Sequence, residues 1–412
     1  MDGDKMRVLC DVLVVGAGPA GSSAARAASE AGAKTLLIDR KKEIGTPVQC
    51  GEVIGRSILQ LSGLRIPRSM VCTSQAFTRF IINRQLRLDN HQAYWRSLSV
   101  ERKMLDKHLA FQATQAGAMV QADARLDSLE LIEGKVRSAL IRDQGQDLEV
   151  EPKVVVASDG VHSTVAKLMG REEFGRESLA KGIEFEMVSS KRIPPCMQIF
   201  IEPEIGLGYG WIIPKGERRA NVGIAVVGGG ARRSEHLRDW IAGHPVVSDY
   251  FGNGNVLEVK TGDAPVPGFR GGPVMGNVLF AGDAAGQTLA FVGEGIIPAY
   301  ICGGIAGQIA ALAARKGIER LNGYDAAVRE TMGKELSLGA ELRDTLVELW
   351  SLDELDGASK SFASALIMNE LMSPEDQGLL GGNLAPHELS RWLKGRVSES
   401  GKDIRIGSVG RS

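Results

Sequence analysis

Two short stretches carry the side chains and glycines with which this sequence could do chemistry. The first is Gly16-Ala17-Gly18-Pro19-Ala20-Gly21, which follows an apolar, β-branched run at 12–15. Gly16 allows a tight turn there, Gly18 lets backbone approach a pyrophosphate, and Gly21 lets a helix pack close to the strand; Ala20 shares the turn. A helix-forming segment follows at 22–33, then a second apolar run at 35–38 that ends on Asp39. Phosphate would sit at the helix N-terminus, where free N–H groups favour negative charge, and Asp39 would accept from a ribose hydroxyl. Strand, glycine turn, helix, strand and acid in this order form a dinucleotide site; the plainer alternative is a glycine-rich turn that only packs.

The second stretch is Leu207-Gly208-Tyr209-Gly210-Trp211-Ile212-Ile213-Pro214, in a chain only 5% aromatic. Tyr209 and Trp211 have one residue between them, so on a strand they share a face. With Ile213 they would form an apolar wall that binds a long chain by area rather than by hydrogen bonds. Spacing alone leaves burial in the core equally open. Cys50 stands in a Pro/Gly-containing loop, Val48-Gln49-Cys50-Gly51-Glu52. Most isolated cysteines are small buried hydrophobes, the reading adopted for Cys10 and Cys302. Cys50, beside Gly51 and Glu52, is read instead as a thiol over the cofactor that helps proton or redox chemistry.

Two further motifs decide which dinucleotide. An apolar run at 154–157 leads into Ser158-Asp159-Gly160-Val161-His162-Ser163, and one at 278–281 leads into Gly282-Asp283-Ala284-Ala285-Gly286, with Gly293-Glu294-Gly295-Ile296 beyond. Together with the first glycine turn, these resemble the FAD-binding fold of p-hydroxybenzoate hydroxylase and its relatives. The resemblance implies FAD, with Asp283 on the ribityl chain and the N–H groups near Gly295 and Ile296 facing the flavin ring. It places Asp159 and Gly160 at the pyrophosphate region and brings Arg102, Ala124, Cys50 and Gly51 to the cofactor. By residue type alone, Asp283 could instead cap a helix and Arg102 could lie on a solvated helix face.

A narrower resemblance, over roughly residues 8–310, is to the geranylgeranyl reductases, including the archaeal digeranylgeranylglycerophospholipid reductases. Its signature stands here as Tyr209, Trp211 and Pro214, with Ile213 where relatives have Phe, and with the Cys50-Gly51 pair. It implies substrate contact at Tyr209, Trp211 and Pro214, and Cys50 as the catalytic residue. The implied reaction is saturation of C=C bonds in geranylgeranyl chains of membrane-lipid precursors by hydride from reduced flavin, with a proton from Cys50 or water. The electron donor would be NAD(P)H or a ferredoxin-like protein; no second GxGxxG marks a separate nicotinamide domain. The sequence departs from relatives at Gln287-Thr288-Leu289-Ala290 and Gly293-Glu294-Gly295, where an Asn-Pro and three glycines are common. The rival readings are a flavin-dependent monooxygenase or halogenase of the same fold and a non-catalytic flavoprotein redox subunit.

The elements that must position these residues make an α/β chain with an α+β insert. It comprises a Rossmann-like FAD-binding domain, an antiparallel-sheet substrate domain and a C-terminal helical region. The expected segments are FAD-binding at 1–70, 99–170 and 273–330, substrate domain at 71–98 and 171–272, and C-terminal helices at 331–412. Substrate strands are expected at 182–188, 197–201, 210–214 and 221–227. Lys215, Arg218 and Arg219 could meet a phosphate head group or form a solvated turn. The piece at 361–372, with Phe362, Leu366, Ile367 and Leu371, could cap the substrate tunnel, touch a membrane surface or pack on the body. The net charge of −1 offers no basic field for nucleic acid. Five scattered cysteines suggest neither a disulfide framework nor a metal site. With no leader pattern and no apolar run long enough to span a bilayer, a cytoplasmic protein is expected, its only membrane contact peripheral.

Overall fold

The computed structural model describes residues 6–229, 234–269, 271–353 and 355–370. The β-branched run at the start belongs to a longer strand, Met6–Val15, at the centre of an eight-stranded sheet. It lies parallel to Thr35–Asp39 on one side and Gln146–Ala157 on the other, with Val12 opposite Val154 and Thr35. Met119–Ala122 and Val278–Phe280 extend the parallel core outward. The hairpin strands Ala124–Ile132 and Lys135–Asp143 fold back antiparallel against Gln146–Ala157. Val12, Leu13, Val14, Val154, Val155 and Val156 are all fully buried, as expected for strands covered on both faces.

Helices Pro19–Glu30, Arg102–Gln115 and Ile296–Lys316 pack in one layer on this sheet. The first and last cross very closely. A Cβ on Gly303 would stand 2.1 Å from the Ala20 carbonyl oxygen, and one on Gly307 2.1 Å from that of Ala24. Contrary to expectation, the 21-residue helix Ile296–Lys316 is long and apolar enough to cross a membrane, with an 18-residue stretch of mean hydropathy 1.7. Its buried face is committed to the sheet and to Pro19–Glu30, which makes it a core helix in this structure.

A second, seven-stranded sheet runs in the order Asn255–Pro265, Leu179–Val188, Arg219–Val227, Gly208–Pro214, Met197–Ile201, Thr78–Ile82, Leu86–Asn90. It is antiparallel apart from the parallel pair Met197–Ile201 and Thr78–Ile82. The four expected strands are present, three of them beginning two or three residues earlier than expected. Val53–Gly55, Ser97–Val100 and Val71–Gln75 form a small third sheet in that order. The helices Gly323–Ser351 and Gly357–Glu370 close the molecule at the far edge of the second sheet. There Leu342, Leu346, Leu349, Ile367 and Met368 pack on Phe80, Ile199 and Phe291. Of the expected amphipathic piece, Ile367 is buried and Phe362 packs at the rim of this cluster. Leu371 and everything beyond it lie outside the described residues.

Candidate functional site

A single cavity of about 490 Å³ runs from the glycine turns of the first sheet to the aromatic wall of the second, within the roughly 300–1,000 Å³ typical of small-molecule sites. Gly16, Gly18, Ala20, Asp39, Cys50, Gly51, Arg102, Ala124, Asp159, Gly160, Tyr209, Trp211, Asp283, Gly295 and Ile296 all line it. Gly21 and Pro214 do not. Gly21 lies beneath the turn, where a Cβ would come 1.8 Å from the Gly16 carbonyl oxygen. Pro214 is buried on the side away from the wall, and its carbonyl accepts from Ser99 Oγ at 2.5 Å.

At the dinucleotide end, Gly16 has φ +98°, a conformation glycine adopts without strain. The N–H of Ala17 donates to Asp39 at 2.8 Å and that of Lys41 donates to its other oxygen at 2.8 Å, so the acid ties two turns together. Asp159 is occupied too, accepting from Ser163 Oγ at 2.5 Å and from the N–H groups of Thr164 and Val165. Together with the N-cap Ser163 it satisfies the first N–H groups of the short helix Thr164–Leu168, and Gly160 beside it lines the cavity. Asp283 is no cap of the long helix, which begins at Ile296; it accepts from Thr288 Oγ at 3.2 Å. Burial pushes its carboxyl up, with Arg102 opposing. Arg102 is no solvated side chain either. It is 14% exposed and bound to both oxygens of Asp106 at 3.0 Å. Burial alone would lower its pKa; Asp106 and Cys50 outweigh burial and raise it.

Cys50 sits against that guanidinium, and its sulfur accepts the Glu52 N–H at 3.2 Å. Burial raises the thiol's pKa, with Arg102 and the Glu52 N–H opposing and Glu52 and Glu184 adding to the rise. The sulfur therefore keeps its hydrogen at neutral pH.

Glu52 pins the loop. Its backbone has φ +63° and its carboxylate is buried. The carboxylate accepts from the Arg102 N–H at 2.9 Å, Lys215 Nζ at 2.7 Å, Lys260 Nζ at 2.6 Å and Asn221 Nδ2 at 2.9 Å. Burial works against its charge, but Lys260 and Lys215 prevail and hold the carboxyl at about 2. This overturns both expectations for Lys215. It is neither in a solvated turn nor free for a head group: it is buried and paired with Glu52, Glu101 and Glu186. Arg219 is committed to Glu186 and Glu101 as well, and Arg218 alone is exposed.

The wall has the expected parity, and its polar atoms are used up by the protein. Trp211 Nε1 donates to Glu184 at 2.7 Å, and Tyr209 Oη donates to the Val292 carbonyl at 2.6 Å. The two rings lie 5.8 Å apart. Tyr94, Phe291, Ile199, Leu346, Trp350 and Met368 continue the lining. Gly223 makes room for the indole, since a Cβ there would stand 2.4 Å from Trp211 Cζ2 and 2.7 Å from the Ile183 carbonyl oxygen. Gly223→Ala is therefore expected to displace Trp211 at a cost of about 1–3 kcal/mol. Thermal unfolding together with the lost Trp211 fluorescence environment would check it.

Residue types and spacing missed two wall acids. Glu184 and Glu294 are each pushed up to about 7, by burial above all. Lys260 and Trp211 oppose this in Glu184, and the Gly55 N–H opposes it in Glu294.

Comparison with known proteins places this geometry. Residues 9–220 match the FAD binding domain family, and residues 179–263 match the geranylgeranyl reductase catalytic domain family. A digeranylgeranylglycerophospholipid reductase of Methanocella arvoryzae is 32% identical, across 82% of this chain and 88% of its own. The Methanocaldococcus jannaschii protein of the same name is 33% identical, across 86% and 91%. The chain belongs to the geranylgeranyl reductase family. Among solved structures, a geranylgeranyl bacteriochlorophyll reductase-like protein from Thermoplasma acidophilum matches with a TM-score of 0.80 at 26% identity, over 94% of this chain and 99% of that one. A flavin-dependent brominase matches with a TM-score of 0.71 at 18% identity, over 95% and 100%, a likeness of fold. FAD is the cofactor of this fold, and the residues present fit it. Gly18 borders the cavity with no protein atom within 4 Å of where its Cβ would be, so backbone is bared to a ligand.

Proposed function

We propose that the protein saturates C=C bonds in geranylgeranyl chains of membrane-lipid precursors. The observation that carries this reading is the apolar wall of Tyr209, Trp211 and Ile213, continuous with the dinucleotide cradle in one cavity. Because Trp211 and Tyr209 spend their donors on Glu184 and Val292, they offer a chain only apolar surface. Reduced FAD supplies the hydride when bound. Gly16, Gly18, Gly160 and Arg102 would hold the cofactor, and Asp283 would take its ribityl chain. The wall would align the chain and exclude water, which lowers the barrier for a poorly polarised alkene. Cys50, its thiol kept protonated, would sit at the reacting face. Cys50→Ala is expected to keep FAD bound and to lower turnover about tenfold, read by flavin absorbance and product yield.

The head group needs a cation at the chain-binding end of the cavity whose hydrogen-bonding capacity the protein does not fill. Arg343 lines the chain-binding part of the cavity near Leu346 and Trp350; its guanidinium meets Asp344 at 3.0 Å, and its buried Nε has no hydrogen-bond partner. Arg343→Ala is expected to raise KM about tenfold for a phosphorylated lipid and little for the neutral diether, since a charge-assisted hydrogen bond contributes about 1.5–3 kcal/mol. The electron donor in this reading is NAD(P)H or a ferredoxin-like protein, and membrane contact is peripheral.

The reading is tested anaerobically. The flavin is reduced with dithionite, digeranylgeranylglyceryl phosphate is added, and the oxidised absorbance is followed. Its return, with the product gaining two hydrogens per flavin, is expected. Reoxidation only by O2, with an oxygenated or halogenated product, would favour a monooxygenase or halogenase.

A further inference from the structure

Saturating an alkene takes a proton as well as a hydride, and the cavity wall holds several acids that could supply it. Six of the seven that line the cavity are engaged or assigned. Asp39 accepts two backbone N–H groups, Asp159 accepts two at the start of a helix, and Asp106 is clamped by Arg102. Asp263 meets His162, Glu184 meets Trp211 and Lys260, and Asp283 takes Thr288 and lies among the cofactor residues.

Glu294 differs. One oxygen accepts the Gly55 N–H at 3.2 Å; the other has no hydrogen-bond donor among the described residues and no paired cation. A tight turn aims the side chain inward: the Leu289 N–H donates to the Glu294 carbonyl at 2.9 Å and the Gly293 N–H to the Leu289 carbonyl at 2.8 Å. Its chain neighbour Gly295 rests on Asp283, whose Oδ1 would be 3.0 Å from a Cβ there. The carboxyl therefore stands where the flavin-side motif meets the apolar wall. Around it are the hydroxyls of Tyr94 and Tyr209, and further along the wall are Cys50, Asp283, Glu184 and Arg102.

We propose that Glu294 is the catalytic acid, donating its proton to one alkene carbon as the hydride reaches the other. This rests on the alkene-reductase reading. The C=C π bond, the carboxyl O–H bond and the N–H bond of anionic reduced FAD that carries the hydride would break, two C–H bonds form, FAD is left oxidised, and Glu294 is left as a carboxylate that takes its next proton from water. A carboxylic acid suits the step better than Cys50, because a thiol whose ionisation is suppressed by burial is the weaker acid. Cys50 then acts by shaping the site beside Arg102.

The test compares wild type, Glu294→Gln and Glu294→Asp as holoenzymes in the anaerobic single-turnover assay, across pH. Glu294→Gln is expected to bind FAD and lipid as wild type does, while its reoxidation rate falls about 100-fold or more. Glu294→Asp should recover part of that loss. The wild-type rate should fall as pH rises through about 7, where the carboxyl loses its proton, and this fall should be absent in the Gln variant. A second readout needs no substrate: the infrared band of a protonated carboxylic acid should vanish with the same midpoint in wild type and be reduced in Glu294→Gln. A Gln variant within threefold of wild type, or one that keeps both the pH-dependent fall and the full infrared band, overturns the assignment. A wild type that reduces no isoprenoid alkene instead sinks the reductase reading itself, and this proposal with it.

Discussion

Gly18→Ala and Gly21→Ala, three residues apart in one turn, are expected to fail in different ways. A Cβ on Gly18 meets no protein atom within 4 Å and points into the cavity wall's open side. That variant should fold with unchanged thermal stability yet bind FAD more weakly by about 1–3 kcal/mol, the usual cost of an overpacked contact, or about tenfold to a hundredfold in Kd. A Cβ on Gly21 would lie 1.8 Å from the Gly16 carbonyl oxygen and 2.5 Å from Ser158 Oγ. Ser158 cannot retreat freely, because its hydroxyl donates to the Val15 and Gly16 carbonyls. The helix cannot back away either, since Gly303 and Gly307 hold the long helix against Ala20 and Ala24 on its other side. Gly21→Ala should therefore lower the melting temperature of the FAD-free protein and lose FAD as a consequence. Melting and flavin titration on both variants separate the roles. A Gly18→Ala variant that binds FAD normally would remove that glycine from the cofactor cradle.

The pair also shows what the sequence made legible. Glycine motifs can be read because their positions tolerate only one residue type, for reasons local to a turn. The Tyr209, Trp211 and Ile213 wall was legible through strand parity. The same parity excludes Pro214, which falls on the opposite face, so that assignment was a family expectation applied against the geometry. The buried ion cluster was not legible. Glu52, Lys215 and Lys260 meet only through tertiary packing, and the Lys-Gly-Glu-Arg-Arg run at 215–219 reads as a polar turn. Only pairing of Gly208–Pro214 with Arg219–Val227, under the loop of Cys50, buries its first residue. Glu294 stood in plain view as a departure from a glycine run, but nothing local signals that its half-buried carboxyl lines the cavity.

Glu52→Gln, the second large effect, follows from that cluster and reads out in pH. The folded pKa of Glu52 is about 2, against an ordinary 4.5. At about 1.4 kcal/mol per pH unit this is worth about 3 kcal/mol. Because the folded pKa is depressed, that stability is fully present above 4.5 and is lost as pH falls through 2. Glu184 and Glu294 act oppositely: their folded values are raised to about 7. Between 4.5 and 7 the native state then binds more protons than the unfolded chain, so stability falls as pH rises across that window. The FAD-free protein should be most stable near pH 5 and lose stability toward neutrality. Glu52→Gln should be destabilised at pH 7 by about 3 kcal/mol or more, because Lys215 and Lys260 remain buried with less opposing charge. Its acid limb below pH 4.5 should also become shallower, since Glu43, Asp11 and Asp89 with their own lowered values remain, while the fall toward pH 7 is kept. Denaturant melts of both proteins between pH 3 and 8 would show this. A variant as stable as wild type at pH 7 would mean that desolvating these ions cancels their attraction. The cluster would then serve to hold the Cys50 loop in its one conformation rather than to hold the fold together.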